Sequence, residues 1–211
     1  MQRIFFHLLT LALLISPLTL WAQQQNSQTQ NSTTTTAKTS QEPQNYSIDP
    51  HHTYVLWFIN HMGFSTQVGK FPVSGNLVVD ETTPNNSKVN VSIDVSQPVT
   101  GIPKLDEHLK GKEFFDVAQF PKATFVSDKM DLTNGKTGTM SGTLTLHGVS
   151  KPVTLSVVIN NVGISPITQQ KTIGFTATTL IKRSDFGINA YLPGLGDSVR
   201  LVIGGEANLP K

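Results

Sequence analysis

The side chains able to do chemistry are few in this 211-residue chain, and it has no cysteine. That removes thiolate metal sites, cysteine nucleophiles and disulfide frameworks. Beyond residue 45 the candidate acid/base and metal-ligating groups centre on five histidines, His51, His52, His61, His108 and His147. Asp49-Pro50-His51-His52 is the nearest approach to a metal cluster. A zinc site needs three or four converging ligands, and adjacent histidines in a strand point to opposite faces, so the run reads as a solvated turn. Glu107, His108 and Glu113 have the types of an acid/base group, but a short amphipathic helix carries such residues on its wet face anyway. No G-x-S-x-G elbow occurs: Gly138-Thr139-Met140-Ser141-Gly142 has the wrong spacing, and Gly63-Phe64-Ser65-Thr66-Gln67 lacks the closing glycine. There is no phosphate-binding G-x-x-x-x-G-K-[ST] loop, and Gly194-Leu195-Gly196 lacks a strand–helix setting. Nothing in this inventory recommends an enzyme, and nothing asks for a cofactor or a metal.

Two polar residues stand instead at the ends of apolar strands. His61 closes the apolar face that begins at Val55, where it is either a hydrogen-bonded core histidine or the polar rim of a pocket. Arg183, in Lys182-Arg183-Ser184-Asp185-Phe186-Gly187, either pairs with Asp185 to pin a strand end or faces a cavity mouth and holds a polar headgroup. Sixteen Lys+Arg against fourteen Asp+Glu, with 14% charged residues, give no clustered basic surface for nucleic acid.

The elements that must position these groups are strands. Val89, Val91, Ile93 and Val95 alternate with Asn90, Ser92 and Asp94; Val153, Leu155, Val157 and Ile159 repeat the pattern, as do Ile173, Phe175, Ala177, Thr179 and Ile181. Period-two alternation marks half-buried antiparallel strands. Turn residues fall between them at Thr83-Pro84-Asn85-Asn86, Thr133-Asn134-Gly135-Lys136 and His147-Gly148-Val149-Ser150. The pattern predicts strands near 46–50, 53–62, 72–80, 88–96, 122–130, 137–147, 151–162, 171–183 and 198–208, and one helix within Pro103–Phe115 that serves as a lid or plug. Eight or nine strands with short connections form a closed barrel or a sandwich, because either removes exposed sheet edges. Tyr54 to Met62 is apolar on both faces. One face lines a hollow while the other packs under the helix or a second sheet, or else both are ordinary core; alternation leaves this open.

Before the strands lie two other segments. Met1–Arg3 is positively charged, Ile4–Ile15 is an apolar run interrupted only by His7 and Thr10, and Leu20-Trp21-Ala22 precedes a cleavage point. The run falls short of the about 20 residues that span a bilayer, so residues 1–22 read as a cleaved export signal, with a retained membrane anchor as the rival. Residues 23–45, rich in Gln, Ser and Thr and with Ala37 as the sole aliphatic residue, read as a disordered linker. Residues 46–211 read as a single domain.

The blocks of that domain, in order, resemble the YceI-like family of lipocalin-like, polyisoprenoid-binding proteins. The blocks are Thr53–Ser65 with Gly69-Lys70-Phe71 and Gly75; His108–Asp116; Pro121–Phe125; Gly142–Val153; and Phe175 with Arg183-Ser184-Asp185-Phe186-Gly187. The departures are Glu113, where an aspartate is commoner in the family, and a long tether before Tyr46. The resemblance implies an eight-stranded antiparallel lipocalin-like barrel with one short helix, a periplasmic or secreted location, and an isoprenoid chain, isoprenoid quinone or similar lipid as ligand. It also makes a homodimer plausible, with only transient membrane contact unless the signal segment is retained. The expected lining is Val55, Trp57, Ile59, Phe71, Phe125, Leu144, Leu146, Leu155, Val157, Phe175, Ile181, Val199, Leu201 and Ile203. Phe114 and Phe115 are expected to close one end, and His61 and Arg183 to meet the headgroup. The expected function is non-catalytic binding, sequestration or transport; the alternatives are a ligandless structural or stress-response barrel and, last, a lipid-modifying enzyme.

Overall fold

A computed structural model describes residues 42–211; the expected export signal and almost all of the expected linker lie outside the described residues. Nine strands follow in chain order: β1 (Gln44–Ile48), β2 (Tyr54–His61), β3 (Ser65–Val79), β4 (Lys88–Asp94), β5 (Lys122–Thr133), β6 (Thr137–Leu146), β7 (Val149–Ile164), β8 (Lys171–Lys182) and β9 (Leu195–Asn208). Helix α1 (Pro103–Lys110) and two short 3₁₀ turns complete the elements.

Every pairing is antiparallel. The sheet runs β2-β9-β8-β7-β6-β5-β4 and closes through β3, which pairs with both β4 and β2. The short β1 occupies the slot between β3 and β9 beyond the start of β2: Gln44 faces Val79, and Ile48 faces Ala207. Nine strands therefore fill eight positions of a closed barrel, which leaves no free edge. Gln44 and Asn45, expected in the linker, belong to this sheet, because ladder hydrogen bonds are made by backbone whatever the side chain.

The hairpins obey their turn chemistry. Asn134-Gly135 and His147-Gly148 each place two successive residues in the left-handed region, at φ 53° and 65° and at φ 51° and 75°, the conformation that matches strand twist. Met62-Gly63 does the same between β2 and β3, although no turn was expected there. Strand β3 starts seven residues before the expected 72. Its first half, STQVGKF, is polar and carries a glycine, so it does not read as a strand; it is one because Gly69 lies opposite Trp57. A Cβ at Gly69 would collide with the Trp57 indole, so the indole takes the place of a side chain.

Helix α1 ends at Lys110, short of the expected Phe115. From Gly111 the chain folds back in turns, with the Phe115 amide donating to the Leu109 carbonyl and the Asp116 amide to the Gly111 carbonyl. This buries Phe114 and Leu109 at one end of the barrel. The expected second layer over the outer face is absent among the described residues: Phe58 is covered instead by Arg200, whose guanidinium carbon lies 4.0 Å from the ring centroid.

Candidate functional site

Inside the barrel is a cavity of about 1230 Å³, larger than the 300–1,000 Å³ or so of ordinary small-ligand sites. All of the expected lining residues border it, from Val55, Trp57 and Ile59 of β2 to Val199, Leu201 and Ile203 of β9. The hollow form of the barrel is thus the one adopted, since the inward side chains of opposite walls do not meet. Alternation explains why β2, β6, β7 and β8 each send every second residue inward. The mid-barrel wall is seen at Ala177, which lies in register with Val157 on one side and Ile203 on the other.

The sequence reading missed part of the wall. Val73 and Leu77 of β3, Val89, Val91 and Ile93 of β4, Met130 of β5 and Met140 of β6 also line the cavity. The β4 set was visible as an alternating face, but alternation does not say whether a face meets a hollow or a neighbouring layer.

The two ends differ. At the α1 end, Phe115 meets Phe71 edge-to-face with centroids 5.1 Å apart, and Phe114 stacks on Tyr191 at 6.1 Å. Leu105, His108 and Leu109 from α1 also reach the cavity. His108 Nε2 lies 3.1 Å from a Glu113 carboxylate oxygen, which also accepts from the Tyr191 hydroxyl at 3.3 Å. That negative charge pushes the Tyr191 phenol pKa up. Glu107 is not part of this group; it pairs with Lys110 at 2.7 Å. The far end is bordered by Asp80, Glu81, Asn134, Lys136, Asn160 and Asn161. There Glu81 accepts from the buried Tyr46 hydroxyl at 2.9 Å and pairs with Lys171. The lysine, more than the tyrosine, holds the Glu81 carboxyl below its usual range. Burial first, and then Glu81, raises the Tyr46 phenol.

His61 borders the cavity at the α1 end and makes no side-chain hydrogen bond among the described residues. Arg183 borders it too, but its guanidinium is committed to backbone: Nε donates to Gly196 O at 2.8 Å, Nη1 to Ile188 O at 3.0 Å and Nη2 to Leu195 O at 3.0 Å. The pair with Asp185 does not form. The carboxylate near Arg183 is Asp197, which accepts from the Ser184 amide and hydroxyl at 2.9 and 2.8 Å. Arg183 thus ties down the 188–196 connection, because a buried cation needs every available acceptor.

At Asp49 the structure adds a partner the sequence could not show. Glu206 of β9 joins Asp49 and His52, with their ligand atoms within 4.8 Å of one another. His52 Nδ1 is 2.8 Å from Asp49 Oδ2, and Asp49 also accepts from the His51 amide and the Asn208 amide group. These bonds account for the grouping as a turn clamp.

Among the described residues that border the cavity, the carboxylates and histidines stand at its two ends. What the arrangement can do is shelter a long apolar chain from water, since most of the lining is aliphatic or aromatic; Thr179 and the Trp57 Nε1, which has no hydrogen-bond partner among the described residues, are the polar exceptions in the wall. A family model for the YceI-like domain matches residues 46–207. The chain is 38% identical over 146 residues to a UPF0312 protein of Pseudomonas putida strain W619, covering 68% of this chain and 76% of that protein. The crystal structure of the YceI protein of Campylobacter jejuni superposes with a TM-score of 0.65 at 31% identity, covering 72% of this chain and 90% of that one. A polyisoprenoid-binding domain from Saccharophagus degradans, implicated in plant cell wall breakdown, superposes with a TM-score of 0.62 over 78% of this chain and 98% of its own, at 18% identity. That last likeness is one of fold.

Proposed function

This chain belongs to the YceI-like family, and on that footing we propose that it binds an isoprenoid chain or similar long-chain lipid inside its barrel. It sequesters or ferries the chain through water and catalyses no reaction. The observation that carries the reading is the apolar cavity of about 1230 Å³. Burial of each CH₂ is worth roughly 0.8 kcal/mol, so a five-carbon unit offers about 4 kcal/mol before losses. Association itself costs several kcal/mol, so a few buried units suffice for useful affinity. Selectivity then rests on the length and width of the hollow. The polyisoprenoid-binding description of the Saccharophagus degradans domain supports the same ligand class. The apolar run at Ile4–Ile15 supports export, and with it a periplasmic or extracellular setting for the carrier.

The test is organic extraction of the purified protein followed by mass spectrometry, with native mass spectrometry of the intact complex. A bound prenyl or long-chain lipid is expected at about one per barrel. Protein that carries none, and takes up none from added prenyl lipid, overturns the reading.

A further inference from the structure

Large apolar side chains crowd the solvent surface around the α1 end of the barrel. The β2–β3 turn carries two: Met62, about half exposed, and Phe64, 91% exposed. Met62 takes φ 54° and Gly63 φ 76°, in a turn whose first left-handed position favours Asn, Asp or Gly. Placing Met there and Phe two residues on gains no internal contact for Phe64. The Met62 amide donates to Gly194 O at 3.0 Å, which joins this turn to the β8–β9 connection, where Tyr191 and Leu192 are also exposed. Ile102, at the start of α1, and Val99 extend the patch.

Three further features say what covers it. Met62, His108 and Tyr191 line the cavity as well as the rim, so the apolar surface is continuous with the apolar interior. Lys70, Lys104 and Lys112 stand exposed at this end with no carboxylate within ion-pair distance among the described residues; of the exposed carboxylates here, Glu107 is paired with Lys110 and Glu113 with His108, and Asp185 stands alone. The opposite end is bordered by Asp80, Glu81, Asn134, Lys136, Asn160 and Asn161; Ile164 and Ile167 are exposed there too, but neither lines the cavity. Aromatic and aliphatic side chains flanked by lysines are the composition that settles into a headgroup layer.

We propose that the α1 end docks on the surface of a bilayer containing anionic phospholipid, so that ligand passes between bilayer and cavity without crossing water. The proposal rests on the lipid-binding reading, and its experiment separates the two. Because the chain has no cysteine, Phe64→Cys and Ile167→Cys can each carry a single bimane label. Ile167, 90% exposed on the β7–β8 turn at the other end, is the control. On phosphatidylcholine–phosphatidylglycerol vesicles containing doxyl lipid, the label at 64 is quenched and the label at 167 is not. Phe64→Asp slows uptake of a prenyl lipid from these vesicles by about tenfold, from the lost burial of one aromatic side chain, while the loaded fraction at equilibrium is unchanged. Quenching at 167 but not 64, or at neither, overturns the docking face. So does a label at 64 that is shielded without vesicles in a protein with the mass of a dimer, since a second copy then covers the patch. Lipid loading without quenching at 64 refutes docking alone, whereas quenching at 64 in a protein that never loads lipid upholds docking and refutes the carrier reading.

Discussion

Ala177→Asp tests whether a chain threads the middle of the barrel. Ala177 is buried, lines the cavity at mid-height, and sits in register between Val157 and Ile203, which line it too. The substitution removes no packing volume, and in the empty barrel the new carboxylate can be hydrated by water in the hollow. An apolar chain expels that water and leaves the charge unpaired, at a cost of about 3 kcal/mol or more. Since 1.4 kcal/mol is tenfold in affinity, prenyl-lipid binding should weaken by roughly a hundredfold or more. The assay is titration with a fluorescent prenyl lipid, with circular dichroism to confirm the fold and Lys88→Ala, an exposed residue, as control. Burial raises a carboxyl pKa, so binding by Ala177→Asp should recover as the pH falls and the acid neutralises. Ala177→Asn should show a smaller loss that does not vary with pH. If Ala177→Asp, folded, binds as tightly as the parent at neutral pH, the ligand does not occupy mid-barrel and the cavity assignment is wrong.

Arg183→Met leaves the Ile188, Leu195 and Gly196 carbonyls without their donors, a loss of about 3 kcal/mol or more in stability. Faster hydrogen exchange across 188–196 should accompany it, and unchanged exchange there would deny Arg183 its tying role. Asp80 and Asp197 are held below the ordinary carboxyl value of 3.8, by the Thr82 hydroxyl and the Ser184 amide respectively before other causes. Depressed folded values mean that their stabilisation is present above about pH 4 and is lost as the pH falls through the lower folded values. Melting temperatures measured from about pH 6 to pH 2 should therefore drop only on the acid side, and Asp197→Asn should flatten part of that drop; an equally steep drop in the variant would count against the assignment. His52 runs the other way: its value is raised by Asp49, so its contribution is full below the ordinary 6.5 and fades as the pH rises through the higher folded value. His52→Gln should abolish that alkaline-side loss in melting temperatures measured from about pH 6 upward.

Much of the barrel could be read from local pattern because each strand has one face toward a hollow and one toward water, which imposes alternation on the chain. Val153, Leu155, Val157 and Ile159 show it directly, and Asn134-Gly135 announces its own turn. The reading weakened where a neighbour, and not the residue itself, supplies the reason. Gly69 lies in a strand because Trp57 packs over it; Gln44 is paired because β3 and β9 leave a gap between them. Helix α1 stops early because Phe114 must turn inward to close the end. Arg183 was visible as a charge at a strand end, but its hydrogen bonds go to carbonyls five to thirteen residues on, and no pattern reveals such acceptors.

The sequence alone determined that the domain is built of antiparallel strands, where most of them lie and which side chains face one way, since these follow from period-two alternation and turn chemistry; the choice of barrel over sandwich came from the family resemblance. Only the tertiary structure decided that the shared face encloses a space. Whether inward side chains meet depends on how many strands close the ring and how far they lie apart, and that distance is written in no single segment.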